Sequence, residues 1–189
     1  MAFMILYRFH PFNQHTITEL LTEKLHFSHP TTWNDPFELD RNVGIRYACF
    51  AINKNDEEQD ALYNHLMWSH YADSHKGICI EYEYDKKSSD SSVMKIAYEE
   101  QVGVSDGGYR MVFYKHKCWE YENEFRMITK IYEEDFKGVD LPYSIDLKIK
   151  AIYCGVEFEK NQLETLKILR GERDFEMFTG EVEELFRTC

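Results

Sequence analysis

A run of residues that could do chemistry extends from Lys115 to Arg126 and reads K-H-K-C-W-E-Y-E-N-E-F-R. Alternate side chains of a β-strand share one face. A strand beginning near Trp119 would therefore align Glu122 and Glu124 on one side, together with Glu120 and Arg126. Neighbouring carboxylates repel one another, so the pKa of at least one of them should rise unless each is solvated or paired. The row is therefore either part of a site packed into the body or a solvated strand edge.

A second group of polar residues lies in the segment from Ser28 to Glu38, S-H-P-T-T-W-N-D-P-F-E. Ser, His, Asn, Asp and Glu within eleven residues, in a loop held by two prolines, can form a polar ligand site. The alternative is that Asn34 and Asp35 bond their own backbone and simply build the turn. Both interpretations predict an ordered loop without regular structure.

A third group is carried by the segment Trp68–Gly77, W-S-H-Y-A-D-S-H-K-G, at the end of an apolar helix predicted from about residue 56 to 72. His70 and His75 are five positions apart, which is not the i, i+4 spacing of two zinc ligands on one helical face. The structural alternative is a histidine that packs against the core. We expect no metal site here.

Other familiar chemistry has no support in the sequence. It contains no G-x-G-x-x-G, no Walker loop, no G-x-S-x-G and no H-E-x-x-H. The sequence therefore has no motif that supports a dinucleotide-binding, phosphate-binding, hydrolase or metalloprotease function.

Composition limits the class of protein. The 189 residues include 22 Lys and Arg against 34 Asp and Glu, a formal net charge of −12. An acidic chain is poorly suited to broad binding of the nucleic-acid backbone, which depends on positive charge. The length predicts a single domain over residues 1–189. No apolar run approaches the roughly 20 residues of a membrane span, and no signal peptide is recognisable.

The five cysteines form an odd set without C-x-x-C spacing. This usage is typical of reduced thiols, and we predict a cytoplasmic protein that neither crosses nor binds a membrane.

The elements that must position these residues alternate irregularly between strands and helices. Strands are predicted at Ile5–Phe9, Leu25–Ser28, Ile45–Ile52, Ile78–Tyr84, Val93–Tyr98, Ile145–Val156 and Phe175–Phe178. Besides the 56–72 helix, helices are predicted at Thr16–Glu23, capped by Thr16 or Thr18, and at Asn161–Arg170, ended by Gly171. This order predicts an α+β fold with two packed, mostly antiparallel sheets and a few flanking helices.

Four blocks of the chain resemble a widespread bacterial family of unknown function. They are L-Y-R-F at Leu6–Phe9, the F-S-x-P-x-x-W-N-D-P-F-E loop at Phe27–Glu38, the W-S-H-Y-A helix with H-K-G at Trp68–Gly77, and W-x-Y-E-x-E-F-R at Trp119–Arg126. The resemblance spans most of the chain but implies no activity.

More distantly, the order of a strand with Arg, a helix, a strand ending in Ser and a late strand with E-x-E is similar to the ADP-ribosyltransferase superfamily. That resemblance implies a split-β core, NAD as substrate and no metal. It implies that Arg8 holds NAD phosphate or ribose, that Ser28 holds the nicotinamide ribose, and that Glu124, with Glu122, is catalytic. The Ser-Thr-Ser triplet of one branch of the superfamily and the first-strand His of another are absent.

Three function classes follow. The first is an NAD-dependent ADP-ribosyltransferase or NAD glycohydrolase, of the kind used as a toxin or phage-defence effector, with an unknown acceptor. The second is a non-catalytic module that binds a small nucleotide or a partner protein. The third is a metal-dependent nuclease whose carboxylates would come from the set Asp35, Glu38, Glu81 and Glu83.

The first two classes predict one cleft between Arg8, the Ser28–Glu38 loop and the 122–126 strand. Its ligand would also contact Asn34 and Asp35, and one wall would consist of Trp68, His70 and Tyr71, with Trp68 or Tyr71 available for stacking on an aromatic ligand.

Overall fold

A computed structural model describes residues 3–35, 44–54, 60–85, 92–100, 113–131, 138–143 and 146–179. The segments 86–91 and 101–112, which include most of the two loops richest in Ser, Asp and Gly, lie outside the described residues, as does Glu38. The described elements, in chain order, are β1 Phe3–His10, α1 Gln14–Thr22, β2 Lys24–Ser28, β3 Ile45–Ala51, α2 His65–Tyr71, β4 Ile78–Asp85, β5 Ser92–Lys95, β6 Ala97–Glu99, β7 Tyr114–His116, β8 Glu124–Lys130, β9 Gly138–Pro142, β10 Leu147–Cys154, α3 Lys160–Arg170 and β11 Glu176–Phe178.

Nine of these strands form one branched sheet. Its main order is β11-β10-β4-β1-β3-β2-β9, and β8 pairs with β3 and with β5. The pairings are antiparallel except between β10 and β11, while β6 and β7 form a separate parallel pair. The α+β class is thus correct, but the predicted pair of packed sheets is wrong, because β3 hydrogen-bonds along both edges and joins the strands into one sheet.

Helices cover both faces of this sheet, which explains why its central strands are apolar on both sides. In β1, Leu6 packs in a core with Leu20 of α1 and Leu166 of α3. The adjacent Tyr7 points to the opposite face and packs in a second core with Trp68 of α2. A strand buried on both faces has little hydrophobic alternation, so the sequence pattern alone does not separate the two cores.

Helix α1 begins earlier than its predicted cap. The Asn13 side chain accepts hydrogen bonds from the backbone N–H groups of His15 and Thr16. The hydroxyl of Thr16 instead donates to the carbonyl of Pro11, at 2.6 Å. Asn13 therefore supplies the N-cap in place of Thr16 or Thr18, while the predicted C-terminal position of Gly171 after α3 is confirmed at φ +52°.

Helix α2 is much shorter than the predicted 56–72 helix. It begins at His65, where the Asn64 side chain caps the N–H of Leu66. Residues 60–63 form a turn, and residues 55–59 lie outside the described part of the chain. Leu66 and His70 are exposed on its outer side, so the helix buries only one face. None of the described helices has the length and hydropathy that a membrane span requires.

The strand predicted to begin near Trp119 begins five residues later. Lys117–Glu122 forms a 3₁₀ helix, and Asn123 then takes a left-handed conformation at φ +42° before β8. Asn tolerates this conformation better than most residues, and its side-chain Nδ2 also donates to the carbonyl of Ile52 at 2.7 Å. The single-face alignment of Glu120 with the later acidic residues is therefore wrong, and Glu120 is exposed.

Candidate functional site

A cavity of about 420 Å³ opens where the central strands separate. Strand β3 pairs with β1 at Tyr7–Ala51 and with β2 at Ser28–Tyr47. The cavity is lined by residues between these two points, including Phe9 of β1. Its volume is within the range of small-molecule pockets, and the gap between strands gives it walls on both faces of the sheet.

Most of the residues singled out in the sequence converge on this cavity. Its lining includes Arg8, Ser28, Asn34, His70, Tyr71, Glu122 and Glu124. Asp35 is buried but does not line the cavity. The predicted convergence in space therefore holds for these seven residues, whereas Asp35 and Trp68 are not among the lining residues.

The cavity wall on the α2 side contains four buried charged residues, which we call the α2-side quartet: Lys115, Glu122, Glu124 and Arg126. Glu124 accepts two hydrogen bonds from Arg126, Nε to Oε1 at 2.6 Å and Nη2 to Oε2 at 2.9 Å. Lys115 Nζ lies 2.9 Å from Glu124 Oε2 and 2.5 Å from Glu122 Oε2. Arg126 thus binds Glu124 bidentately, and Lys115 bridges the two carboxylates.

Glu122 has an additional neutral partner. The Tyr71 hydroxyl donates to Glu122 Oε1, and Asn34 Nδ2 donates to that hydroxyl at 3.4 Å. Burial and the neighbouring carboxylate raise the pKa of Tyr71, which keeps its hydroxyl protonated. The loop and α2 therefore both contribute to holding Glu122.

The two carboxylates of the quartet differ in protonation tendency. Burial raises the pKa of Glu122, Lys115 opposes this, and the charge of Glu124 adds to the rise, so the pKa lies above its ordinary value. Burial acts on Glu124 in the same direction, but the charges of Arg126 and Lys115 outweigh it and hold the pKa below its usual range. Glu124 is therefore ionised at neutral pH, and Glu122 is the group nearer to exchanging a proton.

The Ser28–Asp35 segment forms an aromatic wall of the cavity. The Trp33 indole donates to Ser28 Oγ at 2.7 Å, and the Arg126 guanidinium lies 4.4 Å from the centre of the Trp33 ring. Ser28 thus orients the indole. Trp68, in contrast, lies beneath the site: it is fully buried, packs edge-on against Phe9 at 5.2 Å and donates to the carbonyl of Leu62. The prediction that Trp68 closes a wall and could stack on a ligand is wrong.

The opposite end of the cavity contains Arg8 and His10, which project toward α1. We define the α1-side cluster as Arg8, His10, Glu19, Tyr82 and Tyr143. Arg8 Nη2 donates to the carbonyl of His26 at 3.0 Å, and its Nη1 lies 3.5 Å from Glu19 Oε2. Glu19 Oε1 accepts from Tyr82 at 2.7 Å and from Tyr143 at 3.3 Å. Part of the hydrogen-bonding capacity of the Arg8 guanidinium is therefore used by contacts within the protein.

His70 stands at the rim of the cavity, on the exposed side of α2. Its Nδ1 forms a hydrogen bond of 2.8 Å with the Tyr121 hydroxyl. Burial and the charge of Glu122 raise the pKa of Tyr121 to about 12. This contact joins α2 to the 3₁₀ helix and fixes the edge of the opening.

The cavity residues that sequence reasoning missed include His10, Trp33, Cys49 and Lys115. Lys115 was visible only as part of a basic run whose neighbours Lys117 and His116 are exposed. No spacing rule distinguishes it from them. The Cys49 thiol hydrogen-bonds Glu124, a contact between β3 and β8 that has no local signature.

Three of the carboxylates considered for a nuclease, Asp35, Glu81 and Glu83, are described by the structure, and they do not form a metal-binding group. Glu81 is buried and holds Lys150 Nζ at 2.8 Å and the Tyr153 hydroxyl at 2.7 Å. In the part of the chain that the structure describes, no group of three or more His, Cys, Asp or Glu residues could hold a metal ion.

Comparison with known families gives one match. Residues 67–114, about a quarter of the chain, match a family described as "Protein of unknown function (DUF2971)". The matched segment includes Met67, His70 and Tyr71 of the cavity wall and ends before Lys115. No curated protein and no solved structure matches the chain.

Proposed function

We propose that this cavity binds NAD⁺ and cleaves its bond between ribose and nicotinamide, transferring ADP-ribose to an acceptor or to water. The observation that carries the proposal is the pair Glu122 and Glu124, two buried carboxylates on one cavity wall whose surroundings drive their pKa values apart. Such pairs divide acid–base and electrostatic roles between them.

In the proposed reaction one bond to ribose C1′ breaks and another forms. The bond between ribose C1′ and the nicotinamide nitrogen breaks, and its electron pair leaves with neutral nicotinamide. The positive charge left on the ribose is stabilised by ionised Glu124, which Arg126 and Lys115 hold in place. The acceptor oxygen forms a bond to C1′ and gives its proton to Glu122, whose raised pKa suits a general base.

The walls fit the two chemical parts of such a ligand. Trp33, Phe9, Phe50 and Tyr71 offer apolar and aromatic surface to a base, and aromatic rings pair favourably with one another. Arg8, at the other end, offers a guanidinium of the kind that binds phosphate oxygens.

The first experiment is a thermal-shift titration with NAD⁺, followed by measurement of nicotinamide release. A ligand at about 100 times its dissociation constant stabilises a protein by about 2.7 kcal/mol. We expect Glu122→Gln to lower nicotinamide release at least about 100-fold, the range for loss of a general base, while NAD⁺ still raises the melting temperature.

Glu81→Gln is the matched control, because Glu81 is an equally buried carboxylate that does not line the cavity. It should leave nicotinamide release unchanged when the variant is folded. Absence of release by the wild-type protein, or equal release by wild type and Glu122→Gln, would overturn the proposal.

A second candidate is a module that binds the nucleotide without consuming it. It is favoured by one observation: Glu122 and Glu124 already have internal partners in Tyr71, Lys115 and Arg126. A wall satisfied in this way is preorganised for binding. A thermal shift with NAD⁺ that is recovered intact by mass spectrometry would favour this candidate over the enzyme.

A further inference from the structure

Two buried polar atoms at the α1 end of the cavity have no hydrogen-bond partner among the described residues. They are Nη1 of Arg8 and Nε2 of His10. Both residues line the cavity, and they stand two positions apart on β1, so their side chains project from the same face. Buried polar atoms are normally hydrogen-bonded, and an exception needs an explanation.

The charges around His10 are balanced when its ring is neutral. The ionisable groups that face it are Arg8 from its own strand, Glu19 from α1 and His26 from β2. Arg8 and Glu19 cancel one another, and the Glu19 oxygens are occupied by Tyr82, Tyr143 and the contact with Arg8. An anion that entered this end would therefore bring one uncompensated negative charge into a buried space, which is costly.

Protonation of His10 would compensate that charge. We propose that the Arg8–His10 end of the cavity binds an anionic oxygen of the ligand and that His10 takes up one proton when the anion binds. Arg8 Nη1 and His10 Nε2 would each donate a hydrogen bond to the anion. The proposal concerns binding alone and holds whether or not a ligand is consumed.

The sign of the pH dependence follows from linkage. Burial and the positive charge of Arg8 lower the pKa of His10 to about 4 in the unliganded protein. A bound anion raises that pKa, because it favours the charged ring. Between the two pKa values the complex holds one more proton than the free protein, so the association constant should rise by up to about tenfold for each unit by which pH falls.

The test uses the full chain and two simple anions, sodium sulfate for a tetrahedral oxyanion and sodium acetate for a carboxylate, against sodium chloride at the same ionic strength. The titration runs from pH 7.5 down to pH 3.5, across the pKa of the free His10 ring. Sulfate takes up no proton appreciably in this range, and acetate is compared at equal concentrations of its ionised form. Nitrogen NMR of the histidine rings should show the pKa of His10 rising by at least one unit with the anion that fits. The better of the two identifies the group as phosphate-like or carboxylate-like.

Two variants complete the experiment. His10→Gln keeps a hydrogen-bond donor but cannot take up a proton, so its anion affinity should lose the pH dependence. His15→Gln, an exposed histidine on α1, should behave as the wild type. An unmoved His10 resonance with both anions would overturn the proposal, as would the same pH dependence in wild type and His10→Gln. The NMR measurement on the wild-type protein tests the proposal even if the variant does not fold. Absence of nicotinamide release would leave this test of anion binding unchanged.

Discussion

The cavity lies between two charged clusters in which buried charges are compensated in different ways. In the α2-side quartet, two cations and two carboxylates neutralise one another at 2.5–2.9 Å. In the α1-side cluster, one cation and one carboxylate face each other at 3.5 Å, and tyrosine hydroxyls satisfy the carboxylate. Nη1 of Arg8 and Nε2 of His10 are buried there and have no hydrogen-bond partner within the part of the chain that the structure describes.

The difference in pairing between the two clusters indicates which charged groups stabilise the fold and which are available to a ligand. Removal of one member of a tight buried pair leaves an uncompensated charge. A loosely held cation costs less to remove when its carboxylate partner also accepts hydrogen bonds from neutral groups. The quartet should therefore dominate stability, and the α1-side cluster should respond more to ligand and to pH.

The largest expected effect is that of Arg126→Met. Arg126 is fully buried and makes both short hydrogen bonds to Glu124. We expect a loss of about 3–5 kcal/mol in the free energy of unfolding, measured with urea, because Glu124 keeps only Lys115 as a charged partner. Lys117→Met, at an exposed lysine with its own ion pair to Glu100, is the control and should leave the urea midpoint unchanged.

The double variant Arg126→Met/Glu124→Leu sharpens this result. Replacing both partners by apolar side chains removes the buried charge altogether, and such replacements are often neutral. The double variant should be more stable than Arg126→Met alone. If it is instead as unstable as the sum of the two single variants, the pair does not act as a unit.

A smaller effect is expected for Arg8→Met. Glu19 keeps hydrogen bonds from Tyr82 and Tyr143. The substitution removes the contact with Glu19 at 3.5 Å, the bond to the His26 carbonyl and the approach of the guanidinium to the Phe50 ring. We expect about 1.5–3 kcal/mol, the value of hydrogen bonds to charged groups. A cost equal to that of Arg126→Met in the same urea series would abolish the proposed difference between the clusters.

The smallest effect is the acid sensitivity contributed by His10. Its pKa is about 4 in the folded protein against an ordinary value of 6.5. The unfolded chain therefore binds more protons between these values, and this part of the stability is present above pH 6.5 and is lost as pH falls toward 4. The loss between pH 7.5 and pH 5.5 amounts to about 1 kcal/mol.

His10→Gln should remove this component, so the difference in unfolding free energy between pH 7.5 and 5.5 should be smaller than in the wild type. His15→Gln should retain the wild-type difference. An unchanged pH dependence in His10→Gln would show that the histidine ring is not held neutral by the α1-side cluster.

Much of the fold could be predicted because most of its strands are local apolar runs bounded by breakers. The described strands β1, β2, β3, β4, β10 and β11 fall within a residue or two of the predicted ranges. The failures occurred where a long-range contact overrides local preference. Asn123, bonded to Ile52, stops β8 from extending back to Trp119, and Asn64 starts α2 late while its Nδ2 donates to the Tyr121 carbonyl.

The candidate site could be predicted in part for a similar reason. Ser28, Glu122 and Glu124 stand in polar blocks that interrupt apolar segments, and such interruptions are visible in the sequence. His10 and Lys115 could not be identified, because their burial depends on strands distant in the chain. The role of Trp68 was mistaken because a buried and an exposed aromatic residue on a short helix have the same local pattern.

The sequence by itself determined which residue types were available, that strands would dominate, and that two acidic residues would stand two positions apart beside an arginine. Only the tertiary structure decided that β3 would pair with β1 and β2 at separate points and so open a cavity between them. It also decided that the pKa of Glu122 is raised and that of Glu124 is lowered, because a pKa depends on burial and on the distances to charged neighbours. The contacts of Lys115 join β7 to the 3₁₀ helix and β8, and no local pattern encodes them.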